Sequence, residues 1–296
     1  MNASRLGYPD RPPARLAPAT QRLSSVAATL PGAIGRRIDD EVYRRRLRMG
    51  SAYVCEFPKS GGSWVTSLTR DLLRSQGDGM EKDARVLHPH WRYDPRYRPL
   101  IYVLRDGRDV VISLYFHHVR HLLSPSLWTR RFDQFFTSVL GPGYDLDDVQ
   151  RNLPLFIECL AERPFGGLLR NRQNGRFLPW PRHVEDWIDR PDVLVVRYEA
   201  LHSSPLDELR RIRHHLGVDV PDSVCLDVIR RNSFAARTGR VAGVEDRRSF
   251  LRKGVVGDWR TWFTKEAAAC FDEFAGNVLI GCGYERDARW IQELAS

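Results

Sequence analysis

Residues 53–64 read Tyr-Val-Cys-Glu-Phe-Pro-Lys-Ser-Gly-Gly-Ser-Trp, and no other stretch limits the fold as much. The β-branched and aromatic start, Tyr53 to Phe57, suits a buried strand, and Pro58 ends it because proline has no N–H to give a ladder. Gly61 and Gly62 let the main chain curl until successive N–H groups point inward. Trp64, Val65, Leu68, Leu72 and Leu73 then follow at helical spacing, so a helix N-terminus and its dipole face the same concavity. Lys59 adds a full positive charge, and Ser60 and Ser63 add rotatable donors. Together these parts form a phosphate cradle at the carboxyl end of a strand.

Residue order narrows the ligand. The common nucleotide loop ends in Gly-Lys-Ser/Thr, with the hydroxyl held for magnesium. Here the lysine precedes the glycines and no carboxylate is placed for a metal, which argues against an ordinary nucleoside triphosphatase or kinase. A second unit repeats the strand–turn–helix plan: Leu100 to Leu104 is a buried-strand candidate, Arg105 closes it, Asp106-Gly107 turns, and Val110, Val111, Leu114 and Tyr115 continue as a helix carrying Ser113. The planar fork of Arg105 suits paired hydrogen bonds to phosphate oxygens. A third segment, Arg252-Lys253-Gly254-Val255-Val256-Gly257-Asp258-Trp259, sets two adjacent cations before a glycine.

These three segments, in this order, resemble the sulfotransferases that use 3′-phosphoadenosine-5′-phosphosulfate. The first is similar to that family's 5′-phosphosulfate loop, usually close to Pro-Lys-Ser-Gly-Thr-Thr-Trp; Gly62 in place of the first threonine removes a hydroxyl but leaves the backbone donors. The second resembles the 3′-phosphate segment, which implies that Arg105 and Ser113 bind that phosphate. The third matches Arg-Lys-Gly-x-x-Gly-Asp-Trp at every specified position. By the same resemblance Trp64, Tyr198, Ser233 and Phe234 contact adenine, and Lys59, restrained by Ser113, stabilises the leaving oxygen. The catalytic base is expected between the first two segments, where only His88 and His90 lie. Tyr93-Asp94-Pro95-Arg96-Tyr97 aligns with a family text that selects His90; His88 is the register shifted by two, on the same face of the strand. The resemblance covers about residues 50–265 and implies no metal.

Composition agrees. The 46 basic residues include only four lysines, Lys59, Lys82, Lys253 and Lys265, and two of them fall in the phosphate motifs. An ammonium is a compact donor on a flexible stem, suited to charge that moves between oxygens. A formal net charge of +9 fits a ligand carrying several negative charges without calling for nucleic acid. Five scattered cysteines with no metal spacing suit a reduced, cytoplasmic protein, and neither a membrane-spanning run nor a secretory leader is evident.

Strands near 52–57, 85–89, 100–104 and 192–196 alternate with helices near 63–75, 108–121, 205–216, 221–230 and 266–280. Alternation of this kind predicts a single α/β domain over residues 50–296, a central parallel sheet flanked by helices, of the P-loop-kinase-like kind, with its ligand beyond the strands' carboxyl ends. Residues 1–49 form a separate arm rich in proline and arginine, with a basic amphipathic stretch able to touch a membrane surface. Trp128, Phe132, Phe135, Phe136, Tyr144, Phe156 and Trp180, within residues 122–182, suggest an acceptor wall for a small-molecule or lipid-like hydroxyl compound. The family's dimer patch, Lys-x-x-x-Thr-Val-x-x-x-Glu, is replaced by Arg260, Thr264, Lys265 and Ala269, so the oligomeric state stays open.

Overall fold

The computed structural model describes residues 51–76, 84–90, 92–124, 127–162 and 178–294. The arm at 1–49, its expected helix and its membrane contact lie outside the described residues.

Four strands, β1 (Ala52–Glu56), β2 (Val86–Leu87), β3 (Leu100–Leu104) and β4 (Val193–Arg197), form one parallel sheet in the order β2-β1-β3-β4. Every residue of β1 and β3 is buried. Parallel strands in the middle of a sheet are covered on both faces, which is why these two read as continuous apolar runs. Successive side chains divide between the faces: Tyr53, Cys55, Tyr102 and Leu104 join one core, and Val54, Ile101, Val103 and Val196 join the other.

Eleven helices follow among the described residues: α1 (Gly62–Arg74), α2 (Gly107–Leu123), α3 (Thr129–Leu140), α4 (Val149–Glu162), α5 (Trp180–Trp187), α6 (Tyr198–Ser203), α7 (Pro205–Leu216), α8 (Asp222–Arg231), α9 (Phe234–Thr238), α10 (Trp259–Trp262) and α11 (Lys265–Gly281). Val65, Leu68 and Leu72 of α1, Leu209 and Ile212 of α7, and Cys225 and Val228 of α8 close the second face. The larger core, on the first face, takes α2, α3, α4, α5 and α11. From β1 the chain crosses to β2 on one side, and β3 then pairs with β1 on the other. The loops after β1 and β3 therefore diverge, opening a crevice at the carboxyl ends of the strands.

Two expectations change. Strand β2 is only two residues long where 85–89 was expected, because Pro89 cannot extend the ladder, and this leaves His88 and His90 just past the sheet. The aromatics expected to line an acceptor wall are mostly core. Phe132, Phe135 and Phe136 recur at helical spacing on α3 and pack on Tyr115, His118 and Phe156, and Trp180 packs on Phe271. All five cysteines are free thiols. Among the described residues no helix is long and apolar enough to cross a membrane.

Candidate active site

The turn after β1 is held in a costly conformation. Lys59 has φ +78° and Gly61 has φ +104°, both left-handed. For a non-glycine residue that region costs about 1–2 kcal/mol, so something must hold Lys59 there. Arg105 does, donating from Nη1 to the Lys59 carbonyl at 3.2 Å. At Gly61 a Cβ would sit 2.5 Å from the Tyr198 ring, so glycine is needed for space as well as for φ.

Behind the loop stands Glu56, the last residue of β1 and only 3% exposed. Its carboxylate accepts from the Gly62 N–H at 2.5 Å and meets His88 Nε2 at 3.0 Å. Burial opposes its charge, but the His88 hydrogen bond and the nearby His88 and His90 charges outweigh burial and hold the carboxyl below its ordinary value. This cluster explains the missing threonine. A Cβ on residue 62 would fall 2.3 Å from His88 Nε2 and 2.6 Å from the Glu56 carboxyl carbon. It also alters the expected donor set, since the Gly62 amide is already engaged by the chain itself. His90 Nδ1 lies 3.1 Å from the Glu56 carbonyl. That oxygen can only accept, so Nδ1 carries the hydrogen and the Nε2 lone pair is free to take a proton. Burial, then the neighbouring His88, lowers His90 to about 4. Glu56, His88 and His90 bring three ligand-type atoms within 4.8 Å of one another, the donor types of a zinc-like ion.

The second and third segments meet at Asp109, in the first turn of α2. Its carboxylate accepts from Gly257 N at 2.8 Å and Trp259 N at 3.0 Å, and Arg105 Nη2 approaches it at 3.4 Å. Arg105 also donates to the Val255 carbonyl at 3.3 Å, and its guanidinium lies 4.2 Å from the Tyr198 ring centroid. Asp258 takes Lys253 Nζ at 2.5 Å and pairs with Arg252, which also meets Glu245 and stacks 4.3 Å over Phe116. Gly254, at φ +66°, leaves room for the Phe234 ring, 2.4 Å from where its Cβ would stand. Trp64 meets the rings of Tyr198 and His202 edge-on at 6.0 and 5.1 Å.

These contacts surround a cavity of about 360 Å³. Lys59, Gly61, Ser63 and Trp64 line it from the loop, and Arg105 and Ser113 from the second segment. Tyr198, Ser233 and Phe234 form a further wall, closed by Arg252, Lys253 and Gly254. Ser60 and Gly62 are buried behind the surface, and His88 and His90 adjoin the cavity through Glu56, which does line it. Lys59 makes no hydrogen bond to Ser113; its ammonium stands 3.9 Å over the Phe250 ring. Burial lowers Lys59 to about 7 against the pull of Glu56, with Arg120, Arg105 and Arg252 lowering it further.

Sequence reasoning missed Glu56, His117, Arg120 and Phe250, all on this wall. The one legible hint was a carboxylate ending an otherwise apolar strand, two residues before proline.

A family model for the sulfotransferase domain matches residues 81–283. Among curated relatives, human Sulfotransferase 1C2 is 23% identical over 283 residues, covering 77% of this chain and 82% of that protein. Mouse Sulfotransferase 2B1 is 25% identical over 257 residues, covering 79% of this chain and 73% of that protein. The crystal structure of a mouse sulfotransferase complexed with PAP superposes with a TM-score of 0.51 at 20% identity, over 82% of this chain and 88% of that one. Retinol dehydratase in a complex with retinol and PAP gives 0.51 at 15% identity, over 77% and 80%.

Gly62→Thr should destabilise the fold by about 1–3 kcal/mol, the usual cost of overpacking. Adding Glu56→Ala should recover part of that loss. Urea unfolding of both single variants and the double variant measures the coupling; strictly additive costs would mean that residues 56 and 62 are not matched.

Proposed function

The chain belongs to the sulfotransferase family, and from that premise we propose that it moves a sulfuryl group from 3′-phosphoadenosine-5′-phosphosulfate to a hydroxyl of a small-molecule or lipid-like acceptor. The observation that carries this is the convergence of three phosphate-type segments, separated by up to about 200 residues, on one cavity.

In this reading the adenine lies against Trp64, Tyr198, Ser233 and Phe234. Arg105, Ser113, Arg252, Lys253 and Gly254 hold the 3′-phosphate, and the loop from Lys59 to Ser63 holds the 5′-phosphosulfate. Each bound cation but Lys59 is already oriented by a carboxylate or carbonyl, so little reorganisation accompanies binding. The acceptor hydroxyl gives its proton to His90 Nε2 as its oxygen bonds to sulfur, and the bond from sulfur to the 5′-phosphate oxygen breaks on the opposite side. Negative charge collects on that oxygen, and the Lys59 ammonium stabilises it. The products are the sulfated acceptor, adenosine 3′,5′-bisphosphate and a proton held on His90. No step calls for a metal. A reduced, cytoplasmic setting suits the five free thiols.

Incubation with radiolabelled donor and a panel of phenols, alcohols, sterols and glycolipids tests the proposal directly. Transfer of label to at least one acceptor is expected; no transfer, with no calorimetric binding of adenosine 3′,5′-bisphosphate, would overturn it. Lys59→Ala and His90→Ala should each lower kcat by roughly 10²–10⁴-fold. Arg105→Ala should chiefly raise the donor KM, by roughly tenfold or more. If His88→Ala abolishes turnover while His90→Ala retains it, His88 is the base.

The pH dependence follows in sign from the two groups. His90 must be neutral, so kcat/KM for the donor should fall as pH drops through about 4. Lys59 must be charged, so it should fall again as pH rises through about 7 in the free enzyme. A profile flat from pH 6 to 9 would remove Lys59 from this role.

A further inference from the structure

Among the described residues, six cations line the cavity: Lys59, Arg105, Arg120, Arg237, Arg252 and Lys253, against a single carboxylate on the wall, Glu56. Arg105, Arg252 and Lys253 are each ion-paired to Asp109, Glu245 or Asp258 and belong to the 3′-phosphate site proposed above. Lys59 serves the leaving oxygen, and Arg237 is exposed on the short helix α9. Arg120 is different. It is half-buried, its Nε is fully buried with no hydrogen-bond partner, and no carboxylate meets it. Its contacts are His121 Nε2, 3.3 Å from Nη2, and the Phe250 ring, whose centroid lies 5.6 Å from the guanidinium carbon.

A guanidinium removed from water without a partner is costly, and burial lowers its proton affinity with no opposing charge to offset it. Its neighbours do not help: His117 and His121 are both pushed toward the neutral form, by burial first and then by surrounding cations, Lys59 and Arg120 among them. Among the described residues, the site therefore carries a surplus positive charge on its wall that no carboxylate neutralises.

Position separates this charge from the donor. Ser113, His117 and Arg120 fall on one face of α2 at spacings of four and three residues. Arg120 stands two turns beyond Ser113, about 10 Å along the axis. It shares the Phe250 ring with Lys59, whose ammonium is 3.9 Å from the same centroid, so the two charges are no further apart than those two contacts laid end to end. One small molecule can reach from the reacting centre at Lys59 to Arg120.

Building on the sulfuryl-transfer reading, we propose that the acceptor is a hydroxy acid: it carries a carboxylate or similarly compact oxyanion a short distance from its hydroxyl, and Arg120 binds that group. The guanidinium fork of Arg120, which lines the cavity, can give a carboxylate two parallel hydrogen bonds from its terminal nitrogens. Phe250, in contact with both Lys59 and Arg120, supplies the apolar wall between the two ends. The arginine acts as a specificity-determining residue, rejecting neutral isosteres because they leave its charge unpaired.

Calorimetry on the full chain tests this in two stages. Titration with adenosine 3′,5′-bisphosphate first reports the donor site; absence of binding would remove the sulfuryl-transfer reading and this inference with it. The loaded protein is then titrated with three pairs, 4-hydroxybenzoate, 4-hydroxyphenylacetate and 12-hydroxydodecanoate, each beside its amide. At least one acid should bind roughly tenfold or more tightly than its amide. Arg120→Gln should remove that preference while leaving the bisphosphate Kd within about twofold, and Arg120→Lys should keep part of it. Unchanged bisphosphate binding in the variants also reports that they fold. Failure of every acid to bind, or equal binding of acid and amide in every pair, would overturn the inference while leaving the donor reading intact. So would an Arg120→Gln variant that weakens the bisphosphate as much as the acid, which would assign the arginine to the donor's own oxygens.

Discussion

One guanidinium ties the site together. Arg105 reaches the Lys59 carbonyl in the loop after β1, Asp109 in α2 and the Val255 carbonyl in the third segment, and it lies over Tyr198 at the end of β4. Four parts of the chain that are remote in sequence are fixed to one side chain. The loop depends on it most, because a lysine at φ +78° has no reason of its own to stay there. Asp109 completes the arrangement by accepting from the Gly257 and Trp259 amides, so the basic segment at 252–254 cannot drift from the strand ends. A ligand that bonds to Arg105 meets a surface already set, and that is the condition for electrostatic stabilisation without reorganisation.

Charge is then distributed by depth. Cations at the surface of the cavity are balanced by carboxylates set behind them, Asp109 behind Arg105 and Asp258 behind Arg252 and Lys253. Under the loop the order reverses, with Glu56 beneath a lysine and flanked by two histidines. The carboxylate there engages the first amide of α1 and takes the room a side chain at residue 62 would need, while the main-chain carbonyl of the same residue accepts from His90. Three apparent oddities, an acid ending an apolar strand, a glycine for a threonine and a second histidine two residues before the first, are one packing unit.

Local chemistry made much of this readable. The strands at 52–56 and 100–104 are apolar because both their faces are covered, and the glycines, Pro58 and the helical spacing after them leave few alternatives. Lys59, Arg105, Ser113 and Arg252-Lys253-Gly254 were identifiable because each sits in a short motif whose geometry is set by its nearest neighbours. The aromatics of 128–156 misled for the opposite reason. Phenylalanine looks the same in sequence whether it faces a ligand or a core, and only the packing of α3 and α4 on α2 shows that Phe132, Phe136 and Phe156 face inward.

The sequence alone determined the sheet's parallel plan, the anion cradle and the class of ligand it suits, since these follow from backbone conformation and residue type within a few positions. Tertiary structure decided what no local window contains. Glu56 and His88 are 32 residues apart, Lys59 and Phe250 lie in different segments, and Asp109 finds its amides about 150 residues away. Each pairing joins groups whose partners come from distant chain, and the physical reason is the same throughout: a buried charge takes its meaning from what surrounds it in space, which spacing along the chain does not record.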